Sequence, residues 1–295
     1  MTTLTEAVRP AEAAAAQPRR SKPPSVGRIA VYAVLLGAGM IAALPFFWMI
    51  FGSFKTGAEI RQVPPTFVPQ TWTLDNYRQI LEDPTLPLTT FYRNSLFVAV
   101  MNVVLSLFMA SLLGFIFAKY RFRGRQFLFW YLMALMMVPP SVVMIPNYLI
   151  LTRLGLLNNL WGLVITAVID PFAIFVMRQF IMALPDEQIE SARIDGASEW
   201  RIYRSVIVPQ IKPALATMGL LTFMFNWNAY LWPLIVLQEN SKRTIPVILT
   251  WYSSQHSAQL NLVMAASVLM VVPVLIFFLV TQKWIVAGLT LTGGK

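Results

Sequence analysis

The chain has 295 residues, 57% of them hydrophobic and only 12% charged, and a mean hydropathy of +0.62. A soluble domain carries about a quarter charged residues, so this composition cannot cover a water-facing globule. Lys and Arg number 23 against 13 Asp and Glu, there is no Cys, and the one His is His256, which excludes disulfides, thiolate catalysis and a Cys/His metal site.

In chain order, residues 1–27 are rich in Ala, Pro and basic residues and predict a disordered basic cytoplasmic tail. No charged residue occurs between Arg28 and Lys55. This apolar stretch exceeds the core of a signal peptide, and no small-residue cleavage site follows it, so it reads as a retained anchor. The segment from about 53 to 92 is long and carries Pro64, Pro65, Pro69, Trp72 and Tyr77. Further charge-free windows run from Arg93 to Lys119, Arg125 to Arg153, Lys212 to Glu239 and Arg243 to Lys283, and Asp170 alone interrupts Leu154–Met177. Each is longer than the ~20 residues that cross a hydrocarbon core as helix. The expectation is an all-α integral membrane domain over 28–284 with six helices at about 29–52, 94–118, 127–150, 160–180, 213–237 and 260–283, then a cytoplasmic tail at 285–295. Pro139, Pro140, Pro146, Pro171, Pro233 and Pro273 are compatible with such helices and predict kinks, which serve either packing or gating.

Orientation follows from the basic residues. With the N-terminus inside, the inner segments hold 16 of the 23 Lys and Arg and the outer segments 7. Both termini are therefore expected in the cytoplasm, and the net charge of +10 requires no nucleic acid partner.

The inner segment 183–212 is unusually long. Asp186 after Pro185 is placed to cap a helix, with Glu187 and Glu190 in its first turns and Arg193 near its end. Gly196 suits the left-handed conformation that closes a helix. Ser198 can cap a second helix that presents Trp200, Tyr203 and Ile207 on one face, ended by Pro209 and Pro213. Such a pair fits either a protein partner or the lipid headgroups.

The spacing Glu190-Ser191-Ala192, three residues, Gly196, nine residues, Val206-Ile207-Val208-Pro209 resembles the EAA loop of ATP-binding-cassette (ABC) importer permeases. It departs from the pattern by Ser191 for Ala and by Val206 and Val208 for Ile and Leu. The carbohydrate-uptake branch, and within it the maltose-type second permease subunit, is resembled further by Ser53-Phe54-Lys55-Thr56, Leu74-Asp75-Asn76-Tyr77, Asn94-Ser95 and Met137-Val138-Pro139. Leu154-Gly155-Leu156, Ile194–Ser198, Asn226-Trp227-Asn228 with Pro233-Leu234, and Gly288-Leu289-Thr290 add to the likeness, which covers the chain after about residue 28.

The resemblance implies the six-helix type I importer permease fold. It also implies a bacterial inner-membrane location and a loop that docks on a separate ATPase through Glu190, Ser191, Ala192, Asp195, Gly196 and Pro209. For Asp195 a local turn-stabilising role stands beside that contact. The implied partners are a second homologous permease subunit, two ATP-binding subunits, an extracytoplasmic solute-binding protein facing 53–92 and 238–259, and a sugar or polyol solute. This chain has no Gly-x-x-x-x-Gly-Lys-Ser/Thr, so it is expected to be non-catalytic, with ATP and Mg held by the partner ATPase and no cofactor of its own.

Asn226, Trp227, Asn228 and Tyr230 are candidates for the solute path, since Asn bonds hydroxyls and Trp stacks on sugar faces; equally, such residues hold membrane helices together. Asp170 is either a functional acid at membrane depth or a carboxyl that is protonated or bonded to backbone at a kink before Pro171. His256 is expected to be solvated. A secondary transporter or channel is the alternative reading, although no internal repeat supports it. An intramembrane enzyme is a further rival, lacking a His near Gly196-Ala197-Ser198 and any His-Glu-x-x-His.

Overall fold

In a computed structural model of the protein, residues 26–83, 87–255 and 259–292 are described. The expected N-terminal tail before residue 26 and His256 lie outside them. The chain divides at Phe47/Trp48 into two compact units. Up to Phe47, helix α1 (Val26–Ser53) is apolar all round, with Val34 70%, Leu36 67% and Ile41 74% exposed. Such exposure is unfavourable in water and costs nothing in hydrocarbon.

The second unit begins with a folded cap. Glu59 lies at its centre, its carboxylate accepting from Gln70 N (2.8 Å) and Thr66 Oγ1 (2.9 Å). The 2%-exposed Lys55 donates to the carbonyl and hydroxyl of the same Thr66. Burial opposes the ionised carboxylate, but the donors of Gln70, Thr66 and Thr71 and the charge of Lys55 together hold Glu59 below its ordinary range. Asn76 ties the cap down, donating to Ser53 O and Lys55 O and accepting from Asn261 Nδ2.

Helix α2 (Asp75–Glu82) precedes α3 (Leu88–Lys119), the central helix of the unit. At 32 residues α3 is about 48 Å long, well beyond the ~30 Å hydrocarbon core, so its ends project. It starts at Leu88 rather than near 94, because charge marks the edge of the apolar stretch and does not end a helix. For the same reason α14 (Leu260–Thr292) continues past 283 into the expected tail.

Three expected helices are broken. The 127–150 stretch is α4 (Arg125–Leu135) and α5 (Pro140–Arg153), bent by 101°; Pro139 and Pro140 remove two donors at the break. The 160–180 stretch is α6 (Leu160–Ile165), capped by Asn159, and α7 (Pro171–Met182). Asp170 is extended before Pro171, as proline sterics require, and its Oδ1 accepts from Phe172 N and Ala173 N at 2.9 and 3.2 Å. It therefore caps α7. The 213–237 stretch is α11 (Lys212–Trp227) and α12 (Leu231–Val236). Among the described residues, Ala30–Ser53, Leu88–Lys119 and Leu260–Val280 are each long and apolar enough to cross a membrane alone, and the spans number up to five if each bent pair counts once.

Between α7 and α11 lie α8 (Glu187–Ile194), α9 (Glu199–Ile202), a π turn at Tyr203–Ile207 and α10 (Val208–Gln210). Helix α13 (Ile245–Gln255) precedes α14. One core packs α3, α7 and α11 around Phe115, Ile174, Met177 and Met218, and receives Ile189, Ile202, Tyr203 and Ile207 from the loop helices. A second, around Phe91, Phe223, Trp227 and Leu262, joins α3, α11 and α14.

Candidate functional site

The loop between α7 and α11 is two-sided. On its inner side Ile189, Ile202 and Ile207 are buried and Ala192 and Ala197 pack on them. On its outer side Glu190, Ser191, Asp195 and Gly196 are exposed, and Ile194 is 87% exposed. Gly196 has φ +77°, the left-handed turn that separates α8 from α9. Ser198 Oγ accepts from Arg201 N at 3.4 Å, the expected cap. Two expectations fail. Asp186 makes no cap bond, because its carboxylate turns to Lys119 at 2.5 Å. Pro209 does not end the second helix. The helical run reaches Gln210, between Pro209 and Pro213, and turns by 78° after it.

The projecting end of α3 grips both halves of this loop. Lys119 Nζ donates to Leu184 O (2.7 Å) and Asp186 Oδ1, holding the start of α8. The next residue, Tyr120, donates its hydroxyl to Glu199 Oε2 at the start of α9. Glu199 in turn receives Arg193 Nε and Nη2 at 2.8 and 3.2 Å. Deeper, the Tyr203 hydroxyl meets Ser111 Oγ of α3 at 2.7 Å. Arg193 and then Tyr120 lower the Glu199 carboxyl, and Lys119 lowers Asp186. Burial, followed by the Glu199 carboxylate, pushes the Tyr120 phenol up to about 12, so it remains a neutral donor. Below the grip lies a cavity of about 660 Å³ whose charged lining is Lys119, Arg121, Arg125, Asp186, Glu190 and Arg193. In the sequence Lys119 stands out only as an orientation charge, Tyr120 does not stand out at all, and Ile194 appears only as the first residue of a segment that carries the resemblance. The position of the first two, just past a long apolar run, is the signal that could have found them.

The four helix-five candidates are not brought together. Adjacent residues on a helix diverge by about 100°. Trp227 accordingly points into the core, 1% exposed, stacked on Phe223 and donating Nε1 to Met270 O at 3.0 Å. It offers no face to a solute in this conformation. Asn226 turns the other way, accepting from Asn102 Nδ2 at 2.8 Å and lining a cavity of about 690 Å³. Asn228 is exposed and bonds back to Met224 O, and Tyr230 is 39% exposed where the chain leaves α11 for α12.

Residues 110–290 match the family described as binding-protein-dependent transport system inner membrane component. The chain is 34% identical over 257 residues to the arabinooligosaccharides transport system permease protein AraQ of Halalkalibacterium halodurans, covering 86% of this chain and 92% of that one. It is 33% identical over 261 residues to the lactose transport system permease protein LacG of Rhizobium radiobacter, covering 88% and 94%. Among solved structures, a chain of a bacterial ABC transporter involved in import of the acidic polysaccharide alginate superposes with a TM-score of 0.75 at 29% identity, over 90% of this chain and 99% of that one. A bacterial alginate ABC transporter in complex with its pentasaccharide-bound periplasmic protein gives 0.62 at 16% identity, over 86% and 93%, a likeness of fold alone. With the two-sided loop and the broken apolar helices, these likenesses place the chain in the family of binding-protein-dependent transport-system inner-membrane components, as a permease subunit of an ABC importer.

Proposed function

We propose that this subunit forms half of the translocation pathway for a sugar or related polyol and is driven by a separate ATPase that docks on the loop Glu190–Pro209. One observation carries the coupling role. The loop is fixed to α3 on one side by Lys119 and Tyr120 and presents Glu190, Ser191, Ile194 and Asp195 on the other. A push on the exposed side is therefore transmitted into a membrane helix. Within the motif, Glu190, Ser191, Asp195, Gly196 and Pro209 face outward, and Ala192 supports the fold behind them.

We propose the remaining parts of the assembly with support from relatives whose names describe transport of arabinooligosaccharides and lactose and from the periplasmic protein bound to the alginate transporter. They are a second homologous permease, two ATP-binding subunits that hold ATP and Mg, and an extracytoplasmic solute-binding protein. Both termini lie in the cytoplasm of a bacterium, and the cap around Glu59 with the loop after α12 meets the binding protein. This chain contributes no catalytic group and no cofactor. No observation favours a secondary transporter or channel.

Gly196→Pro and Ile194→Asp in the assembled importer test this reading. Expected are normal insertion of the helices, loss of transport and weaker co-purification of the ATPase. ATPase association and solute-stimulated hydrolysis equal to wild type in both variants would refute the assignment of this loop.

A further inference from the structure

The turn from α3 to α4 reads Lys119-Tyr120-Arg121-Phe122-Arg123-Gly124-Arg125, four cations and no acid. The grip on the loop uses Lys119 and Tyr120 and leaves the three arginines unexplained. With 32 residues, α3 is about 48 Å long, close to the ~40–45 Å of a hydrocarbon core with its headgroup layers. A turn at its end therefore lies at headgroup depth.

Two cavities meet at these arginines. Arg121 and Arg125 line the cavity below the grip, to which Asp186 and Glu190 also contribute. They line a second one, of about 410 Å³, with Phe122, Gln126 and Phe127, and no acid contributes to it. Arg125 is preset there, since its Nη1 donates to Tyr120 O at 2.9 Å. Arg121 makes no hydrogen bond or ion pair among the described residues, and Asp186, the acid whose charge it feels, is already held by Lys119. Arg178 of α7 adds a like charge near Arg125, while its own guanidinium bonds Phe117 O and lies 4.1 Å from the Phe129 ring centre. Gly124, at φ +83°, starts α4 without a side-chain cap, so the N–H groups of the first turn add positive potential at the same place. Cations gathered in this way repel one another until an anion joins them.

The surface beyond is apolar. Phe127, Trp130 and Tyr131 are each more than half exposed and share one face of α4 at i, i+3 and i+4. Trp and Tyr favour the boundary between headgroups and hydrocarbon. A soluble acidic partner would match the arginines and leave this face in water. A molecule with an anionic head and hydrocarbon tails matches both, and basic pockets at the ends of membrane helices bind such headgroups.

We propose that Arg121 and Arg125 form a headgroup site for an anionic glycerophospholipid. Its phosphate pairs with the two guanidinium groups, its acyl chains lie along Phe127, Trp130 and Tyr131, and it fixes the depth at which Lys119 and Tyr120 hold the loop.

The test titrates the full-length chain, in a neutral detergent, with fluorescent phosphatidylglycerol and with phosphatidylcholine of the same acyl chains. Phosphatidylglycerol is expected to bind at least about tenfold more tightly. Arg121→Gln should weaken it about fivefold and Arg121→Gln/Arg125→Gln about thirtyfold, at the worth of one surface cation per step. Arg153→Gln removes the same charge from the exposed end of α5 and should change nothing. Phosphatidylglycerol should raise the Tm of wild type and not that of the double variant. Inorganic phosphate in large excess should not displace the lipid.

Equal affinity for the two lipids would overturn the proposal. So would Arg153→Gln as damaging as Arg121→Gln, which shows diffuse charge attraction, or displacement by phosphate, which shows a site for free anions. If the double variant melts early in detergent alone, Arg121→Gln decides by itself, and its undiminished binding sinks the site. Each of these results leaves the permease reading standing, because neither transport nor an ATPase enters the measurement.

Discussion

Gly114 of α3 packs directly against the backbone of α7. A Cβ at this position would lie 2.8 Å from Met177 Cβ, 3.0 Å from Arg178 N and 3.1 Å from the Met177 carbonyl carbon. None of these atoms can rotate away, because two are backbone and the third is fixed to it. Gly114→Ala must therefore separate the two helices by several tenths of an ångström, and small residues at membrane-helix contacts serve this close approach. Overpacking of this kind costs about 1–3 kcal/mol, and the better helix propensity of Ala returns at most about 1 kcal/mol. A net loss of about 1–2 kcal/mol should lower the melting temperature by roughly 2–8 °C for a chain of this size. Gly52→Ala is the informative control. Its Cβ would lie even nearer an atom, 2.1 Å from Met264 Sδ, but a methionine side chain swings aside, so the expected cost is under about 1 kcal/mol. Thermal unfolding of the two variants in detergent decides the matter. Gly114→Ala as stable as wild type, or Gly52→Ala the more damaging of the two, would refute the argument that backbone proximity sets the cost.

Two further outcomes concern the loop. Gly196→Ala meets no atom within 4 Å, yet forces a side chain into φ +77° at roughly 1–2 kcal/mol; proteolysis between α8 and α9 should accelerate while global Tm holds, and an unchanged cleavage rate would contradict it. The Glu199 and Asp186 carboxyls are both held below their ordinary values of 4.5 and 3.8. A depressed carboxyl stabilises above its unfolded value and loses that contribution as pH falls through the folded one. Hydrogen-exchange protection in α8 and α9, taken relative to the intrinsic exchange rate at each pH, should therefore hold down to about pH 4.5 and fall below it. Glu199→Gln should remove the Glu199 part of that pH response, and because the Arg193 pair is half exposed, with side chains 42% and 46% accessible, the loss at neutral pH stays within about 1 kcal/mol. A Glu199→Gln profile identical to wild type would show that the grip on α9 is not electrostatic.

Features that lie within one continuous stretch of chain are legible in the sequence. Charge-free windows locate the apolar segments, since lipid solvation acts on each residue independently of fold. The capping role of Ser198 and the turn at Gly196 are equally readable, because they depend on a few neighbouring backbone atoms. Asp186 misleads for the converse reason. In sequence it is a cap beside Pro185, but Lys119, 67 residues away, offers a charged partner that a local rule cannot see. Trp227 misleads because its chemistry suits both a sugar and a core, and only the helix rotation shows which side it faces.

Composition and charge alone therefore determined a multi-span membrane chain with a long, two-helix loop. Solvent preference and local hydrogen bonding are short-range and are written residue by residue. Tertiary structure alone decided that α3 reaches out to hold the loop through Lys119 and Tyr120, and that two apolar stretches break beside a cavity that Asn226 also lines. Those arrangements depend on which side chains meet across distant segments, and that information exists only once the helices have packed.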